Sequence, residues 1–175
     1  MEQQGTVYFF TGLSGAGKTT LGGLFYRRLK EKKPNVVVLD GDQTRPVFNE
    51  NIGYSMEDRL DGAKRVFRVC RMLAEQNIDV VCCSICMFEE VRQWNRENIP
   101  NYREIYVRVK KETLLARNQK GLYSGKKNVV GVDLPFDEPT HSDLIVQNDG
   151  DRTPLELVEE IEKALHVNRP EASAS

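Results

Sequence analysis

Short apolar runs alternate with longer stretches of helical period along this chain. The runs are TVYFFT at 6–11, VVVLD at 36–40, DVVCCSI at 79–85, EIYVRV at 104–109 and DLIVQ at 143–147. Several are β-branched and apolar at consecutive positions, which predicts strands buried on both faces. Between them the period lengthens. Residues 17–32 follow a glycine-rich turn and end in a basic run before Pro34. Across 57–76, Ala63, Val66, Phe67, Cys70, Leu73 and Ala74 recur at helical spacing. Segments 88–98 and 111–119 predict shorter helices. At 153–166, Thr153 and Glu156 have capping-box spacing and Pro154 takes the first helical position. Leu155, Val158, Ile161 and Leu165 then form the expected apolar stripe.

Strand–helix alternation of this kind predicts an α/β fold, a parallel five-stranded sheet with helices on both faces. No repeat or internal linker divides the chain, so a single domain is expected over 1–167. Residues 118–142 form a long polar stretch of weak period, and connections of that length usually serve as lids. The tail from 168 to 175 is expected to be disordered.

Composition narrows the classes. A net charge of -1 over 175 residues, with a pI near 6.2, supplies no global field for nucleic acid or an anionic membrane. RRLKEKK at 27–33 is the solvated end of a helix rather than a nucleic-acid face. No apolar run approaches the ~20 residues of a membrane helix. The first ten residues lack the basic flank of a signal peptide, so the expected address is cytoplasmic. Cys82, Cys83 and Cys86 cluster in VVCCSICMF, with Cys70 apart. No second Cys or His pair completes a zinc set, and buried thiols on a core strand are expected. Trp94 is expected to pack a short helix, and His141 to be a loop residue.

The glycine turn carries the first chemistry. Gly12, Gly17, Lys18 and Thr19 fit G-x-x-x-x-G-K-[ST], between a predicted strand and a predicted helix. Glycines let successive N–H groups converge on phosphate oxygens, and the following helix adds its positive end. Lys18 supplies a point charge for the outer phosphates, and the Thr19 hydroxyl suits Mg²⁺, partly through water. The ligand implied is a nucleoside triphosphate. Next, LDGDQTR ends the second predicted strand. If the chain stays extended, Asp40 and Asp42 share a face at the carboxyl edge, where ligands of open parallel sheets bind. Asp42 there would orient an acceptor hydroxyl and take its proton, and Arg45 suits an anionic acceptor. The alternative is that both aspartates cap the following segment.

Five motifs, FTGLSGAGKTT, LDGDQTR, FNENIGYSMEDR, KGLYSG and KNVVGVDLPFDEP, occur in an order that resembles the adenylylsulfate kinases, from about residue 7 to residue 149. The resemblance implies a P-loop kinase that uses MgATP to phosphorylate the ribose 3′-hydroxyl of adenosine 5′-phosphosulfate. It implies that Gly12, Ser14, Gly15, Ala16, Gly17, Lys18, Thr19 and Thr20 bind ATP phosphates, with Arg117 against the ATP base. Lys18 and Asp42 would be the catalytic pair. Arg45, Asn49, Tyr54, Arg59, Lys120, Lys127, Asn128 and Val129 would form the acceptor side, with Tyr54 as an aromatic platform. Lys120, Gly121, Leu122 and Tyr123 match the start of the lid. The expected partners are ATP and a nucleotide acceptor, with a homodimer left open.

The departures cluster on the acceptor side. DGAKR stands where the family has ENIRR, so Gly62 replaces an asparagine that would read adenine. Val129 in KNVVG replaces an aromatic that would complete a sandwich around the base. SICMFEE stands for the family's FISPYR, and Glu89 and Glu90 are expected to bring negative charge there, while Arg92 and Arg96 still match. Losing a stacking partner costs ~1–3 kcal/mol, and losing polar groups that read a base shifts discrimination strongly. The changes also resemble an offshoot of the family, the bacterial cytidine diphosphoramidate kinases of capsule biosynthesis. Drift in an adenylylsulfate kinase is the other reading. A slow nucleotide switch is disfavoured, because Lys18 and Asp42 are both present and no guanine-reading N-K-x-D occurs.

Overall fold

The structure is a computed structural model, and it describes residues 3–48, 53–86, 88–117, 121 and 129–167. Asn49, Lys120, Leu122, Tyr123, Lys127, Asn128 and the 168–175 tail lie outside the described residues.

Five strands form, β1 (Val7–Thr11), β2 (Val36–Asp40), β3 (Asp79–Cys83), β4 (Tyr102–Arg108) and β5 (Leu144–Gln147). They make one parallel sheet in the order β2-β3-β1-β4-β5. Six helices accompany them: α1 (Lys18–Lys30), α2 (Gly41–Phe48), α3 (Met56–Glu75), α4 (Glu89–Asn98), α5 (Lys111–Arg117) and α6 (Pro154–Ala164). All five expected strands are present within about two residues of their predicted bounds.

The two-residue period of the strands separates two cores. Tyr8, Phe10, Val81, Cys83, Ile105 and Val107 face α1 and α6, where Leu21, Phe25, Leu157 and Ile161 meet them. Val7, Phe9, Val80 and Cys82 face the opposite way, onto Phe67, Cys70 and Ala74 of α3 and Val91 of α4. Phe25 sits edge-on to Tyr8 at 4.9 Å, and Phe67 edge-on to Phe9 at 4.8 Å. All four cysteines are buried free thiols, as expected. Trp94 is half-buried against the second core.

Three expectations change. Residues 41–48 form a helix, although Gly41 and Pro46 are poor helix formers. Asp42 is therefore in a first helical turn and not on an extended strand end. On α6 the capping box forms as expected, but Leu155 is 46% exposed and Leu157 is buried in its place. The helix is rotated so that Glu162 also turns inward, to Arg28 at 2.8 Å and Lys32 at 3.6 Å. Finally, Glu89 does not present a bare negative charge, because it pairs with Arg92 and Arg96.

Candidate active site

The carboxyl ends of β1, β2, β4 and β5 meet at the glycine turn. Gly12 has φ 148° and lies against the Val107 carbonyl, leaving no room for a side chain. Gly17, the N-cap of α1, has φ 99°, and a Cβ there would lie 2.6 Å from Asn148 Nδ2. These two contacts hold the turn between β4 and the segment after β5. Ser14, Gly15 and Ala16 form its crest, and Thr20 continues α1 behind Thr19.

Lys18 is 9% exposed, and its Nζ donates to the Leu13 carbonyl at 2.8 Å. The ammonium is thus folded back over the turn, within reach of any anion held by the turn's N–H groups. Thr19 Oγ1 donates to Asp40 Oδ2 at 2.6 Å. Asp40 Oδ1 accepts from the Asp42 N–H at 2.9 Å, so Asp40 fixes the start of α2 as well. Capping therefore accounts for Asp40, whereas Asp42 is exposed on the first turn of α2.

Arg45 of α2 and Arg59 of α3 converge on Tyr54. The Arg45 guanidinium lies 3.9 Å from the Tyr54 ring centre and donates to the Gly53 carbonyl at 2.6 Å. Arg59 lies 5.6 Å from the same ring and donates to the Tyr54 carbonyl at 3.1 Å. Burial, and next the Arg45 charge, lower the Arg59 guanidinium from its ordinary value. Two like charges around one exposed ring favour an anion between them. Gly62 lies one turn further along α3.

Arg117, at the end of α5, donates to the Gly15 carbonyl at 3.3 Å and the Asn148 carbonyl at 2.8 Å. Asn148 in turn donates to the Ala16 carbonyl at 2.8 Å. Sequence reasoning missed Asn148, although its position just past β5, at the carboxyl edge, was a usable signal. Val129 is 7% exposed, and its N–H donates to Asp133 at 3.0 Å in a tight turn over 129–134. His141 is an exposed loop residue beside Thr140, as expected. Among the described residues no group of three His, Cys, Asp or Glu side chains could hold a metal, and no helix is long and apolar enough to cross a membrane.

The family model described as adenylylsulphate kinase matches residues 4–147. The chain is 37% identical to the cytidine diphosphoramidate kinase of Campylobacter jejuni subsp. jejuni, covering 94% of this chain and 99% of that one. It is 34% identical to the adenylyl-sulfate kinase of Halothermothrix orenii, covering 97% and 96%. The structure matches that of the Mycobacterium tuberculosis APS kinase in complex with AMPPNP and APS, with a TM-score of 0.85, 29% identity and coverage of 94% and 99%. Shikimate kinase of Aquifex aeolicus shares the fold at 19% identity and a TM-score of 0.61.

Proposed function

The chain belongs to the adenylylsulfate kinase family and is an ATP-dependent phosphotransferase with a P-loop kinase fold; we propose that its acceptor is the ribose 3′-hydroxyl of a cytidine nucleotide carrying a small group on its phosphate, of the cytidine diphosphoramidate type. One observation carries the choice of base. Tyr54 offers a single exposed ring flanked by Arg45 and Arg59, while Gly62 has no side chain to read a base edge and Val129 is buried in its own turn. Among the described residues, one stacking face and no amide at position 62 suit a smaller pyrimidine. Adenylyl sulfate is the second reading, favoured by the family model and by relatives that carry that name.

The N–H groups of the turn, with Gly12, Ser14, Gly15, Ala16, Gly17 and Thr20, hold the β- and γ-phosphates, and Lys18 leaves the Leu13 carbonyl to meet them. Arg117 lies against the ATP base. A divalent cation accompanies ATP in kinases of this kind, and Thr19 with Asp40 offers the hard oxygen donors that Mg²⁺ takes, completed by water and phosphate. When bound there, such a cation would supply positive charge to offset that developing on the phosphates. Arg45 and Arg59 hold the acceptor's anionic groups, with Asn49, Lys120, Lys127 and Asn128 as further acceptor contacts proposed from sequence. Asp42 orients the 3′-hydroxyl. The 3′-oxygen bonds to the γ-phosphorus, the bond from that phosphorus to the β,γ-bridging oxygen breaks, and ADP leaves with the bond's electron pair. The hydroxyl proton passes to the Asp42 carboxylate and then to water.

In the same proposal the 118–142 segment closes over both nucleotides and excludes water as a competing acceptor. The enzyme would work in the cytoplasm, as a monomer or a homodimer, in a capsule-building route. A coupled assay of ADP release against cytidine diphosphoramidate, adenylyl sulfate, CDP and ADP tests the reading. Turnover of the cytidine phosphoramidate above that of adenylyl sulfate is expected. The reverse order returns the protein to adenylyl sulfate, and slow ATP hydrolysis unaffected by any acceptor overturns transfer altogether.

A further inference from the structure

We propose that Arg92, a fully buried residue of α4, is a positioning residue that ties the return arm of the lid to the acceptor-side loop, so that the two engage the acceptor as one unit. The inference rests on the nucleotide-kinase reading above, but not on which base is bound.

Arg92 on α4 is fully buried. Its guanidinium makes three bonds into three different segments. Nη1 donates to the Cys86 carbonyl at 2.7 Å, in the loop between β3 and α4. Nη2 donates to the Asp137 carbonyl at 2.6 Å, in the arm that returns from the lid. Nε donates to Glu89 Oε2 at 2.9 Å, at the head of α4. The Glu89 N–H closes the loop onto Asp137 Oδ2 at 3.2 Å. A second arginine, Arg96, braces the cluster through Glu89 and through the buried Glu104 at 3.1 Å.

The return arm is held at both ends. Near its start, a Cβ at Gly131 would lie 2.6 Å from Leu13 Cδ2, so the arm rests on the phosphate turn. Near its end, Tyr106 donates to Glu138 at 3.1 Å, beside the Arg92 bond to Asp137. From Cys86 the contact continues towards the acceptor. A Cβ at Gly41 would sit 3.1 Å from the Ser84 side chain, and Asp42 is the next residue along α2. Arg92 therefore stands between the arm that rests on the donor turn and the loop that packs against the acceptor carboxylate's helix.

Stability alone gives little reason for an arginine here. A buried ion pair is often no more stabilising than apolar side chains of equal volume, whereas its directional bonds fix one geometry. A planar donor with three separately directed acceptors sets the relative position of three segments, which an aliphatic side chain would not.

The test uses the full chain and three variants, Arg92→Met, Arg92→Lys and Asp137→Ala. With the acceptor that the panel identifies, Arg92→Met is expected to raise the acceptor KM about tenfold and leave the KM for ATP within about twofold, and Arg92→Lys to recover part of the loss. Asp137→Ala lies on the exposed arm and, among the described contacts of that side chain, removes the one to Glu89. It should shift the acceptor KM in the same direction, by a smaller factor. A lowered melting temperature with unchanged acceptor KM assigns Arg92 a merely structural role and overturns the proposal. Should Arg92→Met fail to fold, an unchanged acceptor KM in Asp137→Ala overturns it equally. A readout independent of acceptor identity is proteolysis of 118–142 in the presence of magnesium and a non-hydrolysable ATP analogue. Faster cleavage in Asp137→Ala than in the wild type is expected, and equal cleavage counts against the proposal even if every acceptor in the panel fails.

Discussion

The Thr19 hydroxyl donates to Asp40 at 2.6 Å, joining the first turn of α1 to the last residue of β2. Thr19, which follows the turn's lysine, and the Asp42 N–H in the first turn of α2 are thereby fixed to one carboxylate. Asp40→Asn keeps the shape but removes the charge. The expected outcome is weaker MgATP binding, by about tenfold or more, with magnesium dependence shifted to higher concentration. Calorimetric titration of the nucleotide at two magnesium levels checks it, and unchanged affinity at both would place the metal elsewhere.

Asp42→Asn should behave differently. Its carboxylate is exposed on α2 and faces the acceptor side in the proposed reading. A fall in kcat of about a hundredfold or more is expected, with nucleotide affinity little changed. Collapse of ATP binding in this variant would assign Asp42 to the metal and leave the proton acceptor unidentified.

Lys18→Ala should abolish transfer while the protein remains folded. The ammonium donates to a backbone carbonyl of its own turn, and Lys18 belongs to neither of the apolar cores that flank the sheet. Circular dichroism shows whether the fold is kept, and wild-type turnover in the folded variant would refute the assignment of the turn to the migrating phosphate.

Gly22 of α1 packs against Cys83 of β3 so closely that an added methyl would overlap the sulfur. Alanine is the better helix former by about 1 kcal/mol, yet Gly22→Ala should destabilise the protein, because overpacking costs ~1–3 kcal/mol. Cys83→Ala removes the sulfur, so the double variant should be more stable than the sum of the single effects predicts. Urea unfolding of the four proteins measures that coupling, and strict additivity would show that α1 simply shifts away.

Glu162 and Arg28 provide a pH signature. Burial raises the Glu162 carboxyl, but the Arg28 hydrogen bond and the Lys32 and Arg28 charges outweigh it and hold the group below its ordinary value of 4.5. A carboxyl depressed in the folded state stabilises the protein above the unfolded value, and this contribution is lost as pH falls through the folded one. Arg28→Met should therefore cost about 2 kcal/mol at neutral pH, less than full removal of a buried partner because Lys32 remains. The difference should narrow as pH falls from about 4.5 through the lower folded value of the wild type, and be smallest once Glu162 is protonated in both proteins. A difference constant from pH 7 to pH 3 would show that Arg28 acts through packing alone.

The alternation of apolar runs with helical periods was enough to place five strands in a parallel sheet, because the burial of a strand or a helix face is written in its own short-range period. The glycine turn was legible for the same reason, since strand, turn and helix are contiguous between residues 7 and 30. What escaped the sequence depends on partners distant along the chain. Thr19 meets Asp40 across 21 residues, Arg92 meets Asp137 across 45, and Asn148 meets Ala16 across 132. Those meetings require the strand order, which places β1 at the centre with β2 and β5 at the edges. On α6 the buried Leu157, Val158 and Ile161 are at helical spacing too, so two overlapping stripes fitted the sequence, and packing against α1, with Glu162 turned to Arg28, goes with the one that exposes Leu155. Helix α2 is the reverse case. Gly41 and Pro46 argue against a helix locally, and the Asp40 carboxylate at its first turn together with the burial of Thr44 in the fold outweighs them.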